Sequence, residues 1–270
     1  MKHFISRITV VTTLFIATSC SSGVKSGMHQ GENRTSQHKG HSIQAKLTVP
    51  KNVVANQPIP LAIDIQNSSD KAASNSDSFQ QKQMHLIIVS DDLKFFDRIH
   101  PTYKGNGRFE INPSLPNPGG YTLFSDYKPS KQKEQVTIQK VSIPGKVPLP
   151  TELEKFSNTK ILSNTKVNLS QAKPQAGKEV TLTFDFKEAA NNQAIKDLQP
   201  YLGEKGHLVI IKSSSPLTTS DYIHAQARKD SPEGKVQFIT SFPQSGTYKL
   251  WGQFNRNGKI ITADFWVNVF

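Results

Sequence analysis

The chain has 270 residues, 33 Lys and Arg against 21 Asp and Glu, and a single Cys. That length holds one large or two small domains, and one Cys excludes an intramolecular disulfide, so each domain must be held by its apolar core. The net charge of +12 comes from scattered rather than clustered basic residues; this describes a solvated Lys-rich surface, attractive at long range to anionic lipid or polysaccharide, rather than a nucleic-acid groove.

At the start, Lys2 and Arg7 precede the apolar stretch Ile8–Ile16, which is too short to cross a bilayer and stay there. Ala17-Thr18-Ser19-Cys20 follows and resembles the lipobox at which a signal peptidase cuts before a lipid-modified Cys. Residues 1–19 are therefore expected to be a secretory signal peptide, and Cys20 to carry the lipid that holds the mature chain to a membrane. Ser21 after Cys20 resembles the sorting signal for the outer membrane, facing the periplasm in a host with two membranes. Export also argues against a nucleic-acid partner.

Residues 20–41 are Ser, Gly, Gln, Asn and Lys with almost no apolar side chain, so they bury too little surface to fold. They read as a flexible tether spanning about 25 Å root-mean-square. Beyond it, Ile43–Val49 and Ile59–Ile65 alternate at period two, as half-buried strands do.

The second half repeats the first. A turn again feeds an alternating strand at Ala176–Phe186; His85-Leu86-Ile87-Ile88-Val89 matches His207-Leu208-Val209-Ile210-Ile211, and Asp97-Arg98-Ile99-His100 matches Asp221-Tyr222-Ile223-His224. Each copy closes on Gly-x-Tyr-x-Leu-aromatic, at Gly119–Phe124 and Gly246–Trp251. The expected organisation is all-β: two tandem antiparallel Ig-like β-sandwich domains, residues 42–142 and 165–270, joined by a Pro-containing linker, 143–164. Helix is limited to one turn near Ala189–Leu198. The closing Tyr resembles the tyrosine corner of immunoglobulin-like domains, with Leu123 and Leu250 where the second Cys of those domains stands.

Chemistry is concentrated in the histidines. Of eight His, His3 lies in the signal, His29, His38 and His41 lie in the tether, and His85 and His100 occupy the places in the first copy that His207 and His224 occupy in the second. A hairpin turning at Asp91-Asp92 makes His85 and His100 direct cross-strand neighbours, and the same pairing is expected for His207 and His224 across the longer loop Ser213–Ser220. Two imidazoles so placed can reach one metal ion, and neutral His with thioether ligands outside the cytoplasm suits copper. Met84, Asp97, Asp221, His38 and His41 are the further candidate ligands or ring-orienting groups, although a regular strand turns Met84 to the opposite face from His85. The competing reading is structural, each His satisfied by a neighbour at the sandwich edge.

Ile195-Lys196-Asp197-Leu198-Gln199-Pro200-Tyr201-Leu202-Gly203-Glu204-Lys205-Gly206-His207, continued to His224 and Gly246-Thr247-Tyr248, resembles a family of poorly characterised bacterial envelope domains. Its pattern is Asp-Leu-x-Pro-Tyr-Leu-Gly-x-x-Gly-His, then His-x-His-Pro, then Gly-x-Tyr. The first copy lacks the Pro-Tyr-Leu-Gly element, and each copy lacks one His of the His-x-His step. The resemblance implies an immunoglobulin-type sandwich often found beside copper- or heavy-metal-handling proteins.

No phosphate-cradling loop, nucleophile elbow, zinc-protease helix or paired carboxylates mark an enzyme. The expected function is therefore a non-enzymatic, membrane-tethered envelope binding protein, handling copper or another heavy metal through paired His. The alternative is a structural or adhesive lipoprotein that recognises an envelope protein or polysaccharide without metal.

Overall fold

The computed structural model describes residues 43–67, 84–129, 133–147 and 156–270. The expected signal peptide, Cys20 and the tether with His38 and His41 lie outside the described residues.

Period-two alternation places residues i and i+2 on one face of a strand, and covering that face gives sheets. In chain order the first half forms β1 (Ile43–Thr48), β2 (Leu61–Asn67), β3 (Met84–Ser90), β4 (Phe96–Ile99), β5 (Thr102–Gly105), β6 (Arg108–Ile111), β7 (Gly119–Tyr127) and β8 (Gln135–Ile143). The second forms β9 (Thr159–Leu162), β10 (Thr165–Ser170), β11 (Glu179–Glu188), β12 (Leu198–Gln199) and β13 (His207–Lys212). After a 3-10 turn at Thr219–Asp221 come β14 (Tyr222–Gln226), β15 (Lys235–Ser241), β16 (Gly246–Arg256) and β17 (Lys259–Val269).

The strands make four antiparallel sheets. Orders β1-β2-β6-β5 and β4-β3-β7-β8 build the first sandwich, around Ile63, Ile65, Leu86, Ile88, Phe109 and Leu123. Orders β15-β11-β10-β9 and β14-β13-β16-β17, with β12 paired to the end of β16, build the second around Phe184, Phe186, Leu208, Ile210, Phe238 and Leu250. Fold class and tandem sandwich character are thus as the period-two pattern requires.

Both tyrosine corners form. Tyr121 Oη donates to the Asn117 carbonyl and Tyr248 Oη to the Gln244 carbonyl, each at 2.8 Å. Leu123 and Leu250 are buried, so apolar packing occupies the position that a disulfide holds in other sandwiches.

The expected helical turn near Ala189–Leu198 is absent. The segment is instead a turn followed by a bridge from Lys187 to Ala194 and the short β12. Asn191 Oδ1 accepts from the Gln193 amide at 3.0 Å and Asn192 adopts φ 60°, local bonding that competes with a helix.

A third apolar core joins the sandwiches. In β3, Leu86 and Ile88 point into their own sandwich, while Ile87 and Val89 point out of it; they meet Phe124, Val209, Ile211 and Trp251. The sheet of β3 and β7 therefore faces the sheet of β13 and β16, and both inner sheets are covered on both faces. Phe96 stacks on Trp251 at 4.8 Å between ring centroids and Phe124 on Tyr222 at 5.2 Å, two aromatic pairs that cross the seam.

Candidate functional site

The seam is where the histidines lie. His85 shares the outward face of β3 with Ile87 and Val89, and His207 shares that of β13 with Val209 and Ile211. Gly206 admits the start of β13 against β16, since a Cβ there would sit 2.7 Å from the Phe254 ring.

Pairs Leu86↔Ile99 and Ile87↔Arg98 set the register of β3 and β4, which puts His85 opposite His100. Their ring centroids are 4.8 Å apart. In the second copy the direct partner of His224 is Val209, not His207, so the expected pairing is corrected to a diagonal one with centroids 6.3 Å apart. The longer loop and its 3-10 turn move β14 by two residues, and a two-residue slip keeps His224 on the same face. By register, then, Arg98 and not His100 occupies in the first copy the place of His224 in the second, because one faces Ile87 and the other Val209.

The two copies bring their histidines together. His85 approaches His224 across the seam at 5.9 Å between centroids. His224 Nδ1 lies 3.1 Å from Asp126 Oδ2 of the other copy, and that oxygen also accepts a hydrogen bond from Tyr222 Oη at 2.9 Å. His207 Nε2 is 2.9 Å from the Tyr201 carbonyl, an acceptor, so this nitrogen carries the proton of the neutral ring. Asp126 occupies in β7 the place of Gln253 in β16, opposite His85 and His207 respectively.

Burial sets the electrostatics. Desolvation, followed by repulsion from Arg98, lowers His85 to about 3 and His100 to about 4. The same two causes bring His207 to about 4. Burial works against the Asp126 carboxylate, but the His224 contact outweighs it and holds its pKa below the usual range. Tyr222 is raised well above the ordinary phenol value by burial and then by Asp126. The seam is thus built to keep three imidazoles neutral beside a buried guanidinium.

Several candidate ligands are placed elsewhere. Met84 is buried in the core of the first sandwich, on the face opposite His85. Asp97 lies on the opposite face of β4 from Arg98 and His100. Asp221 Oδ2 accepts from the Thr218 amide at 2.7 Å and from the Thr218 and Ser214 hydroxyls at 2.8 Å, so it closes the 3-10 turn instead of orienting His224. The carboxylate that does meet a histidine, Asp126, was not anticipated, nor were Arg98, Tyr201 and Tyr222. A signal for them existed: Leu86–Val89 and Leu208–Ile211 are continuous apolar runs, which mark strands covered on both faces.

Among the described residues no three His, Cys, Asp or Glu side chains are arranged to hold a metal ion. Arg98 adds to this, because its charge repels a cation from the rings it already acts on. A separate groove of about 410 Å³ lies between Ile195–Lys205 and Ser231–Val236. Lys196, Lys205, Lys235 and Glu233 line it above Leu198 and Pro232, and none of the histidines does.

The family model described as Domain of unknown function (DUF8832) matches residues 37–143 and again 159–270. No curated protein matches the chain in sequence. Among solved structures, a Salmonella alpha-2-macroglobulin mutant is 12% identical with a TM-score of 0.30, over 86% of this chain and 15% of that one. A tetra-tandem repeat from the extending region of a large adhesion protein is 11% identical at TM-score 0.28, over 84% and 50%. A two-domain fibronectin type-III segment of chicken tenascin is 9% identical at TM-score 0.25, over 84% and 99%. The chain spans only 15% of the macroglobulin's length, and scores this low carry no function across.

Proposed function

The chain belongs to the DUF8832 family, once in each half, and on that premise we propose that it works as a fused pair: a non-enzymatic interaction protein, exported and tethered to a membrane by lipid on Cys20. The observation that carries this reading is the seam. Side chains that single domains would expose, including Ile87, Val89, Val209, Ile211 and Trp251, are spent on holding the copies together. The histidines belong to that contact, which makes them structural. What remains outside is a basic surface and the Lys-lined groove, suited to an acidic polysaccharide of the envelope.

The tether requires Cys20. Radiolabelled palmitate is expected to enter the wild-type chain and to be absent from Cys20→Ser, which is then released in soluble form; equal labelling of both would remove the anchor.

The partner and metal readings separate in one comparison. The soluble chain from residue 41 is expected to bind an acidic polysaccharide such as polyuronate, weakened about tenfold or more in Lys196→Glu/Lys235→Glu, because two charges are reversed at the groove. Copper(I) and zinc titrations are expected to give no saturable heat. Stoichiometric metal binding lost in His85→Ala/His100→Ala would instead establish the metal-handling form, for which the 4.8 Å approach of those two rings is the supporting geometry.

A further inference from the structure

We propose that the seam holds a small halide-class anion, seated against the Arg98 guanidinium and the His100 imidazole between the two sandwiches. Arg98 is only 4% exposed, and none of its Nε, Nη1 and Nη2 atoms makes an aligned hydrogen bond to protein. Tyr201 lies close enough to act on its charge without meeting hydrogen-bond geometry. An arginine so placed carries a full charge, since its pKa is too high for neutralisation. A buried charge without hydrogen-bond partners is costly to keep out of water.

The side chains around it leave the guanidinium without an aligned hydrogen bond, although the Asp126 carboxylate acts on its charge from nearby. Asp126 is the carboxylate that faces Arg98, but its Oδ2 is already engaged by Tyr222 Oη and His224 Nδ1. His85, His100 and His207 present neutral rings. Tyr201 and Tyr222 are neutral phenols: Tyr222 Oη donates to Asp126, and the Tyr201 oxygen can accept from Arg98 without bringing a charge. Gln253 stands in β16 where Asp126 stands in β7, so the second copy offers an uncharged amide at the place where the first offers a carboxylate.

His100 Nε2 is also buried and unpartnered by protein, and the Arg98 charge acts on that ring; with the ring proton on Nε2 it is a second donor. A buried guanidinium beside a second unpartnered N–H in a water-poor seam recognises an anion. The histidine rings already stand at contact spacings of 4.8, 5.9 and 6.3 Å, so the anion must be compact, monatomic rather than a tetrahedral oxyanion. Chloride is the chemistry that fits. It lies outside the reading of the chain as an interaction protein and does not depend on it.

The mature chain is melted at constant ionic strength while sodium gluconate is replaced by sodium chloride and then bromide. Linkage predicts a saturable rise in Tm of about 2–4 °C with either halide. The rise is expected to vanish in Arg98→Gln and to persist in Lys104→Glu, an exposed position outside the seam and the groove. Crystals grown in bromide are expected to show an anomalous peak beside Arg98, a readout that needs no variant. Absence of a halide-specific rise, an equal rise in Arg98→Gln, or ordered water without an anomalous peak beside Arg98 would each overturn the proposal.

Discussion

Trp251→Ala is expected to destabilise the folded chain by about 3–5 kcal/mol, the cost of truncating a large buried aromatic. Trp251 is 3% exposed and its ring lies nearly parallel to Phe96, at 4.8 Å and 12°. Stacking adds about 1 kcal/mol to the area that the pair removes from water. The expected loss is distinctive because Trp251 belongs to the seam core and not to the cores of the separate sandwiches. Denaturant unfolding of wild type should be one transition, whereas the variant should show two as the sandwiches uncouple. A loss below about 1 kcal/mol with a single transition would mean that the seam contributes little and that each copy stands alone. Ile87→Asp should give the same uncoupling by burying an unpaired charge in that core.

Acid should have the second large effect. His85, His100 and His207 bind protons with pKa values of about 3, 4 and 4 when folded, against 6.5 when unfolded. Below pH 6.5 the unfolded chain takes up protons that the folded chain refuses, so stability falls with pH from 6.5 to about 4. Asp126 acts in the same direction at lower pH: its depressed pKa contributes stability that is lost as pH falls below the ordinary carboxylate value. Three imidazoles together should cost about 3 kcal/mol at pH 5, after halving the full linkage value for the solvent that still reaches them. Urea titrations at pH 7, 6 and 5 measure this directly. His85→Gln/His207→Gln should flatten the dependence, since neither new side chain titrates. An unchanged slope would mean that the rings are solvated and the seam is open in solution. Arg98 lowers all three histidines, so Arg98→Gln should bring their folded values closer to 6.5 and make the fall shallower, ending at higher pH.

Of the candidate site, the equivalence of His85 with His207 and the pairing of His85 with His100 were legible in the chain. Hairpin register is arithmetic once the turn at Asp91-Asp92 is recognised: His85 and His100 are equally far from that turn, and the pair Leu86↔Ile99 is in the same register. The same arithmetic failed for His207 and His224, because a loop of many residues can absorb a two-residue slip without changing which face is buried. Arg98 and Tyr222 align by sequence, yet Arg98 stands in the place of His224 and Phe96 in the place of Tyr222. The aromatic pairs Phe96–Trp251 and Phe124–Tyr222 are then the two halves of one pseudo-twofold contact.

Residue order by itself determined the strands, the duplication, the tyrosine corners and the need for disulfide-free cores, because each rests on local periodicity, turn chemistry or the count of a single residue type. Only tertiary structure decided that the two copies dock through their His-bearing sheets. It also decided that Asp126 is the carboxylate that meets His224, and that Arg98 is shut in among neutral imidazoles. The contacts that cross the seam join strands more than 90 residues apart, such as Tyr222 with Asp126 at a separation of 96. Which outward faces meet depends on shape and charge summed over whole sheets, a quantity that no local pattern along the chain carries.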